Sequence, residues 1–265
     1  MKSPKLAVLA SATLLAALGV SAAEPKQTAE ESGSAPAEQA TAEKTGPEGA
    51  PEPVSARPPA ANGGVVYQPP ARGRPMHTVG GATRGTGDKV PVLFVVTPDH
   101  VGQTTSAQPS LFWYVDRVPD ASVQIEFTLL DEESIQPLAE GFLATPKRAG
   151  VHRIRLADYG VRLAKGSEYE WSVALILDPD DRSKDVLATG WIDRVETSAQ
   201  LTSRLESEGR AQAAAVYANE GLWYDAFSAL SDQIDRNPGD EQLRQYRAAL
   251  LRQVGLEEAA SGAGL

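Results

Sequence analysis

The sequence predicts an α+β protein: an antiparallel β-sandwich over residues 90–197, followed by a helical unit over residues 198–256. Two observations lead there. Between Val90 and Arg194 short apolar or alternating runs are separated by polar, Pro- or Gly-containing turns, with no helical period between them. After Thr197 the period becomes helical, in a stretch rich in Ala, Glu, Gln and Leu.

The strands follow in order. Val92–Val96 is a continuous apolar run, broken by Pro98-Asp99, and Leu111–Val115 is a second. Val123, Ile125, Phe127 and Leu129 alternate with polar residues, the mark of a half-buried strand. Residues 131–134 read as a turn, and 135–143 as a return strand distorted at Pro137. Gly150–Leu156 alternates again, Glu168–Leu177 puts Tyr169, Trp171, Val173 and Leu175 on one face, and Val186–Arg194 returns after a polar tip. About seven short strands of this kind are solved by two stacked antiparallel sheets. Helices are expected over 199–219, 222–237 and 240–254, with Gly221 and Asn237-Pro238-Gly239 as breaks and Asp240 as an N-cap. Residues 257–265 read as a flexible tail.

The N-terminal part is of another kind. A basic start, the uncharged apolar run Leu6–Val20 and the small residues Ser21-Ala22-Ala23 have the layout of a cleaved secretory signal peptide. The run is too short to span a bilayer comfortably. Residues 24–62 contain no aromatic residue and carry seven glutamates against two lysines and one arginine, a composition that cannot offset its ordering entropy and predicts a disordered linker. Residues 63–89 form a Gly/Arg-rich irregular lead-in, with Val65, Val66 and Tyr67 as apolar anchors.

Composition narrows the function. The 265 residues carry a formal net charge of −10, which offers no basic surface to nucleic acid. With no cysteine there is no disulfide, thiolate metal site or cysteine nucleophile. No later apolar stretch is long enough for a membrane span. The expectation is a periplasmic or secreted protein, without cofactor or integral membrane segment, that meets a protein partner in the cell envelope.

Asp99, His100 and Ser106 put acid, imidazole and hydroxyl in one loop, the residue types of a base-activated nucleophile. Nothing resembles Gly-x-Ser-x-Gly, and the alternative is a structural loop in which Thr and Ser cap backbone groups and Gly102 supplies an unusual backbone angle. Asp178, Asp180, Asp181 and Asp185 offer oxygen ligands for calcium, but the spacing is not that of an EF-hand, and Arg182 and Lys184 stand among them. The three histidines, His77, His100 and His152, lack zinc-ligand spacing. Gly80–Gly87 lacks the Gly-Lys-Ser/Thr ending of a phosphate loop. Arg72, Arg74 and Arg84 could pair internally or hold an anionic partner. Trp113 and Tyr114 are candidates for a binding patch, because neighbours on a strand point to opposite faces, unless the helical unit covers one of those faces.

Three resemblances follow from quoted residues. Leu163-x-x-Gly166-x-x-Tyr169-x-Trp171 resembles the tyrosine corner of fibronectin type III and immunoglobulin-like domains, which implies their sandwich but no function. Ala214, Tyr217, Gly221, Trp223, Ala226, Leu230 and Pro238 are similar to one tetratricopeptide repeat, which implies an antiparallel helix pair. Finally, Thr97 to Tyr114, Leu156 to Val161 with Tyr169-x-Trp171, and Gly221-Leu-Trp-Tyr-Asp-Ala226 together resemble the bacterial domain of unknown function 928 family over residues 67–254. That resemblance implies an exported protein and no established activity. The function expected is therefore a non-enzymatic interaction or scaffold protein of the bacterial envelope, with a hydrolase or carbohydrate-active protein using the Asp99–Ser106 loop as the alternative.

Overall fold

The computed structural model describes residues 64–70, 90–131, 134 and 136–262, all within the unit Ala56–Leu265. Residues 1–23, read as a signal peptide, residues 24–62, read as a linker, His77, the Gly80–Gly87 stretch and Arg72, Arg74 and Arg84 lie outside the described residues. The chain is α+β, with two β-sheets and four helices, the helices at the C-terminal end.

The strands are β1 (Leu93–Val95), β2 (Gly102–Thr104), β3 (Ser110–Val115), β4 (Gln124–Asp131), β5 (Ala139–Leu143), β6 (Gly150–Arg155), β7 (Glu168–Ile176) and β8 (Val186–Arg194). One sheet has the order β1-β3-β6 and the other β2-β8-β7-β4-β5. All pairings are antiparallel except β2 with β8, which is parallel and sets Gly102 opposite Ile192. The expectation of wholly antiparallel sheets is corrected here. The chain leaves β1 at the edge of one sheet and crosses through Pro98–His100 to the other, so no hairpin dictates the direction of β2. β2 also falls inside the segment read as a loop. Gly-Gln-Thr has no apolar alternation, and the strand exists because Thr104 and its neighbours pair with the end of β8. The return strand over 135–143 is shorter than expected and starts only at Ala139, beyond Pro137.

The helices are α1 (Ala199–Asn219), α2 (Trp223–Arg236), α3 (Glu241–Gln253) and α4 (Glu257–Gly262). Ser198 caps α1 by accepting from the Leu201 amide, and Asp240 caps α3 by accepting from the Gln242 and Leu243 amides. α1 is interrupted at Gly209, whose φ of 73° is not helical. The flexible tail expected from Glu257 onward is replaced by α4: Ala259 and Ala260 are buried, and their small side chains allow this short helix to approach the sheet closely. Among the described residues no helix is long and apolar enough to cross a membrane.

Strand β3 explains how the layers meet. All residues from Leu111 to Val115 are buried, so neither face of this strand meets solvent. Phe112 and Tyr114 face the helices: the Phe112 ring sits 4.8 Å from that of Phe227 on α2, and Tyr114 lies under Gly262 of α4. Leu111, Trp113 and Val115 take the opposite face. One continuous apolar cluster joins both sheets to α2, α3 and α4. The helical unit therefore shares a core with the sheets. Tyr169, at the start of β7, accepts a 2.8 Å hydrogen bond from the Ala164 amide five residues upstream.

Candidate functional site

The densest polar construction is where the first turn of α2 meets the segment from Val96 to Thr105. Gly221, at φ 75°, lets the chain turn sharply out of α1, and α2 starts two residues later. Trp223, Tyr224 and Asp225 follow in a row, and each is bonded to the sheets. The Trp223 indole Nε1 donates to the Val96 carbonyl at 3.0 Å. The Tyr224 hydroxyl donates to the Trp191 carbonyl at 2.9 Å and accepts from the Trp171 indole at 2.9 Å. Its one proton being so used, the 3.1 Å contact with Thr97 Oγ1 must be donated by the threonine. Asp225 Oδ2 accepts from the Thr105 amide at 2.7 Å.

Gly102 owes its place to this contact. A Cβ there would come within 2.7 Å of the Tyr224 ring. It is a strand residue outside the set of positive-φ glycines, so the expected unusual backbone angle is corrected: the constraint is close approach. Burial pushes the Tyr224 phenol well up from its ordinary pKa. Burial also raises the Asp225 carboxyl to about 6, against the opposing hydrogen bonds from Thr105 and Thr104.

The predicted site residues fall beside this joint. His100 has its Nε2 at 2.9 Å from the Tyr67 hydroxyl and its Nδ1 at 3.1 Å from Asp99 Oδ1. The imidazole stacks on the Tyr67 ring, and that ring meets the Trp223 ring edge-on at 5.2 Å. His100 is 11% exposed, whereas Asp99 is 90% exposed. Ser106 is used differently: its amide donates to Thr104 Oγ1, and its Oγ accepts from the Gln108 amide at 3.2 Å. The structure thus brings Asp99 to His100, while the hydrogen bonds of Ser106 run to other partners.

Trp113 and Tyr114 are both buried, covered by the neighbouring elements. Asp178, Asp180, Asp181 and Asp185 lie at the exposed β7–β8 tip. Lys184 bridges Asp178 at 2.8 Å and Asp181 at 3.1 Å, and Arg182 bridges Asp185 at 2.5 Å and Glu126 at 2.7 Å. The bond from Lys184 holds the Asp178 carboxyl below its usual range. Among the described residues no cluster of three His, Asp or Glu could hold a metal ion.

Sequence reasoning missed the working partners of His100 and of Thr105: Tyr67 lies in the lead-in as an apolar anchor, and Asp225 stands in the Gly221–Ala226 motif with no bonding role assigned. The signal for Asp225 is its place directly after Trp223 and Tyr224 at the start of a helix; Tyr67 has no comparable local signal. Three distant segments converge here. Gln108 Nε2 donates to the Val161 carbonyl at 3.0 Å and the Leu163 amide to the Ala107 carbonyl at 2.9 Å, while Trp223 and Asp225 hold the other end of the 96–108 segment.

These converging segments lie inside the region that matches a family described as Domain of Unknown Function (DUF928), over residues 79–263. The chain belongs to the DUF928 family. Most of the described DUF928 region is the shared core of sheets and helices set out above. No curated protein matches the chain. Among solved structures, that of Astrotactin-2, a vertebrate-specific, perforin-like membrane protein involved in neuronal development, is similar at 11% identity and a TM-score of 0.26. The likeness covers 66% of this chain and 34% of that one, so the DUF928 chain spans about a third of its length.

Proposed function

We propose that the chain is an exported, non-enzymatic interaction or scaffold protein of the bacterial cell envelope, in which an immunoglobulin-like sandwich carries a tetratricopeptide-like helical unit. The observation that carries this reading is how the polar groups of residues 97–106 are used. Thr97, Thr105 and His100 each hold a distant segment and together fasten α2 and Tyr67 to the sheets, while Ser106 bonds locally to Thr104 and Gln108. The Tyr169–Ala164 bond supports the immunoglobulin-like assignment, because it is the bond a tyrosine corner makes. The close packing of α1 on α2 around Ala214, Ala218 and Ala226 supports the helical one.

The test is capture from native envelope with the full chain as bait, alongside N-terminal sequencing. We expect a defined protein partner and a mature start at Ala23 or Glu24; a cytosolic pool retaining Met1 would contradict export. A second reading, a hydrolase centred on Asp99–Ser106, is favoured by the 3.1 Å contact between Asp99 and His100. Complete loss of function in His100→Ala or Ser106→Ala with an unchanged melting temperature would select it.

A further inference from the structure

A cavity of about 140 Å³ opens between β6 and the helices, on the side of the sheet away from β7 and β8, and its lining is dominated by arginine. Its construction follows from periodicity. Arg153 and Arg155 are two apart on β6 and share one face. Ser231 and Asp235 are four apart on α2 and share another. Arg247 comes from α3, and Arg148 from the turn that leads into β6.

Charge is unbalanced there. Arg153 is held by Asp232 at 2.7 Å and Asp235 at 3.4 Å and lies over the Phe112 ring. Arg148 and Arg155 are exposed and have no ion-pair partner among the described residues. Arg148 and Arg155 thus bring two guanidiniums beyond the pairs of Arg153 with Asp232 and Asp235, in a chain whose net charge is −10. Burial pushes the Arg247 guanidinium down; Asp235 opposes this, and Arg148, Arg153 and Arg244 repel it further. The buried Ser231 hydroxyl, in the same lining, has no hydrogen-bond partner among the described residues. Like charges gathered so closely call for an anion between them.

We propose that this cavity binds the phosphate group of a phosphomonoester. Several forked guanidiniums match the multiple oxygens of a phosphate, whereas one carboxylate is satisfied by a single arginine. The organic part has a place beside it. A groove of about 720 Å³ shares Arg148, Gly150 and Gly262 with the cavity, offers the Tyr114 ring as an apolar wall, and has Asp116 and Glu258 as acceptors for hydroxyl groups.

The experiment is calorimetric titration of the full chain with inorganic phosphate and with glucose 6-phosphate. The same titrations are run on Arg148→Gln/Arg155→Gln and on Arg204→Gln, whose arginine pairs with Glu220 elsewhere. We expect saturable binding that weakens about tenfold or more in the double variant, while its ligand-free melting temperature holds. Arg204→Gln should bind as the native chain does. Tighter binding of glucose 6-phosphate than of inorganic phosphate supports a phosphomonoester, and equal or weaker binding would overturn that assignment in favour of free phosphate. Absence of saturable binding, an unchanged affinity in the double variant, or an equal loss in Arg204→Gln would overturn the site.

Discussion

The Trp223 indole donates to the backbone carbonyl of Val96, 127 positions earlier in the chain, at 3.0 Å. Val96 ends the apolar run of β1, and Trp223 opens α2. That bond ties the start of α2 to the end of the first strand of the sheets. Around it, Tyr67, Thr97, Tyr224 and Asp225 make contacts of the same kind.

Tyr224→Phe keeps the ring against Gly102 and removes only the hydroxyl. The Trp171 indole and the Trp191 carbonyl are then left without this partner in a buried place. The expected loss is about 1–3 kcal/mol, read from chemical denaturation. Gly102→Ala should also destabilise, since its Cβ would overlap the Tyr224 ring.

Asp225 makes stability depend on pH in a defined direction. Its folded pKa, about 6, lies above the ordinary carboxyl value of 3.8. Between these values the folded chain keeps a proton that the unfolded chain releases, so this residue's contribution falls as pH rises from about 4 to 6 and is constant above. The ionised group therefore costs on the order of 3 kcal/mol at neutral pH relative to acid. Asp225→Asn should remove that dependence: its stability relative to the native chain should rise between pH 4 and 7. A difference that stays flat across this range would show that the carboxyl titrates normally.

How much of this could be read beforehand varies element by element. β4, β7 and β8 were legible because each has one buried and one wetter face, which writes period two into the sequence. The breaks between α1, α2 and α3 are legible in Gly221 and Asn237-Pro238-Gly239, and the start of α3 in Asp240, whereas the Ser198 cap of α1 emerges only in the structure. β2 was hidden, because a three-residue strand without apolar alternation is specified by its partner β8. α4 was hidden too, since Glu-Glu-Ala-Ala-Ser-Gly carries no period, and its burial depends on Tyr114. For the site, Asp99 and His100 were read as neighbours by adjacency, but Tyr67 and Asp225 reach the segment only through the fold. The arginine cavity draws on β6, α3 and a turn, and no local spacing announces it.

Residues 64–70 are held by long-range bonds. Gln253 on α3 takes the Tyr67 amide at 2.7 Å and donates to the Val65 carbonyl at 3.0 Å, while the Gln68 amide reaches the Ala218 carbonyl at 3.0 Å. Deleting residues 24–62 should leave the melting temperature nearly unchanged. Extending the deletion through residue 70 should lower it by several degrees, since the Tyr67 ring leaves Trp223 and His100.

The central claim is that sheets and helices form one cooperative body joined at the first turn of α2. Differential scanning calorimetry of Trp223→Ala tests it most directly. Trp223 is fully buried, so the substitution should cost roughly 3–5 kcal/mol and also strand the Val96 carbonyl. The account predicts a single transition in both proteins, moved as a whole to lower temperature in the variant. Two separate transitions, with only one moved by the substitution, would contradict it.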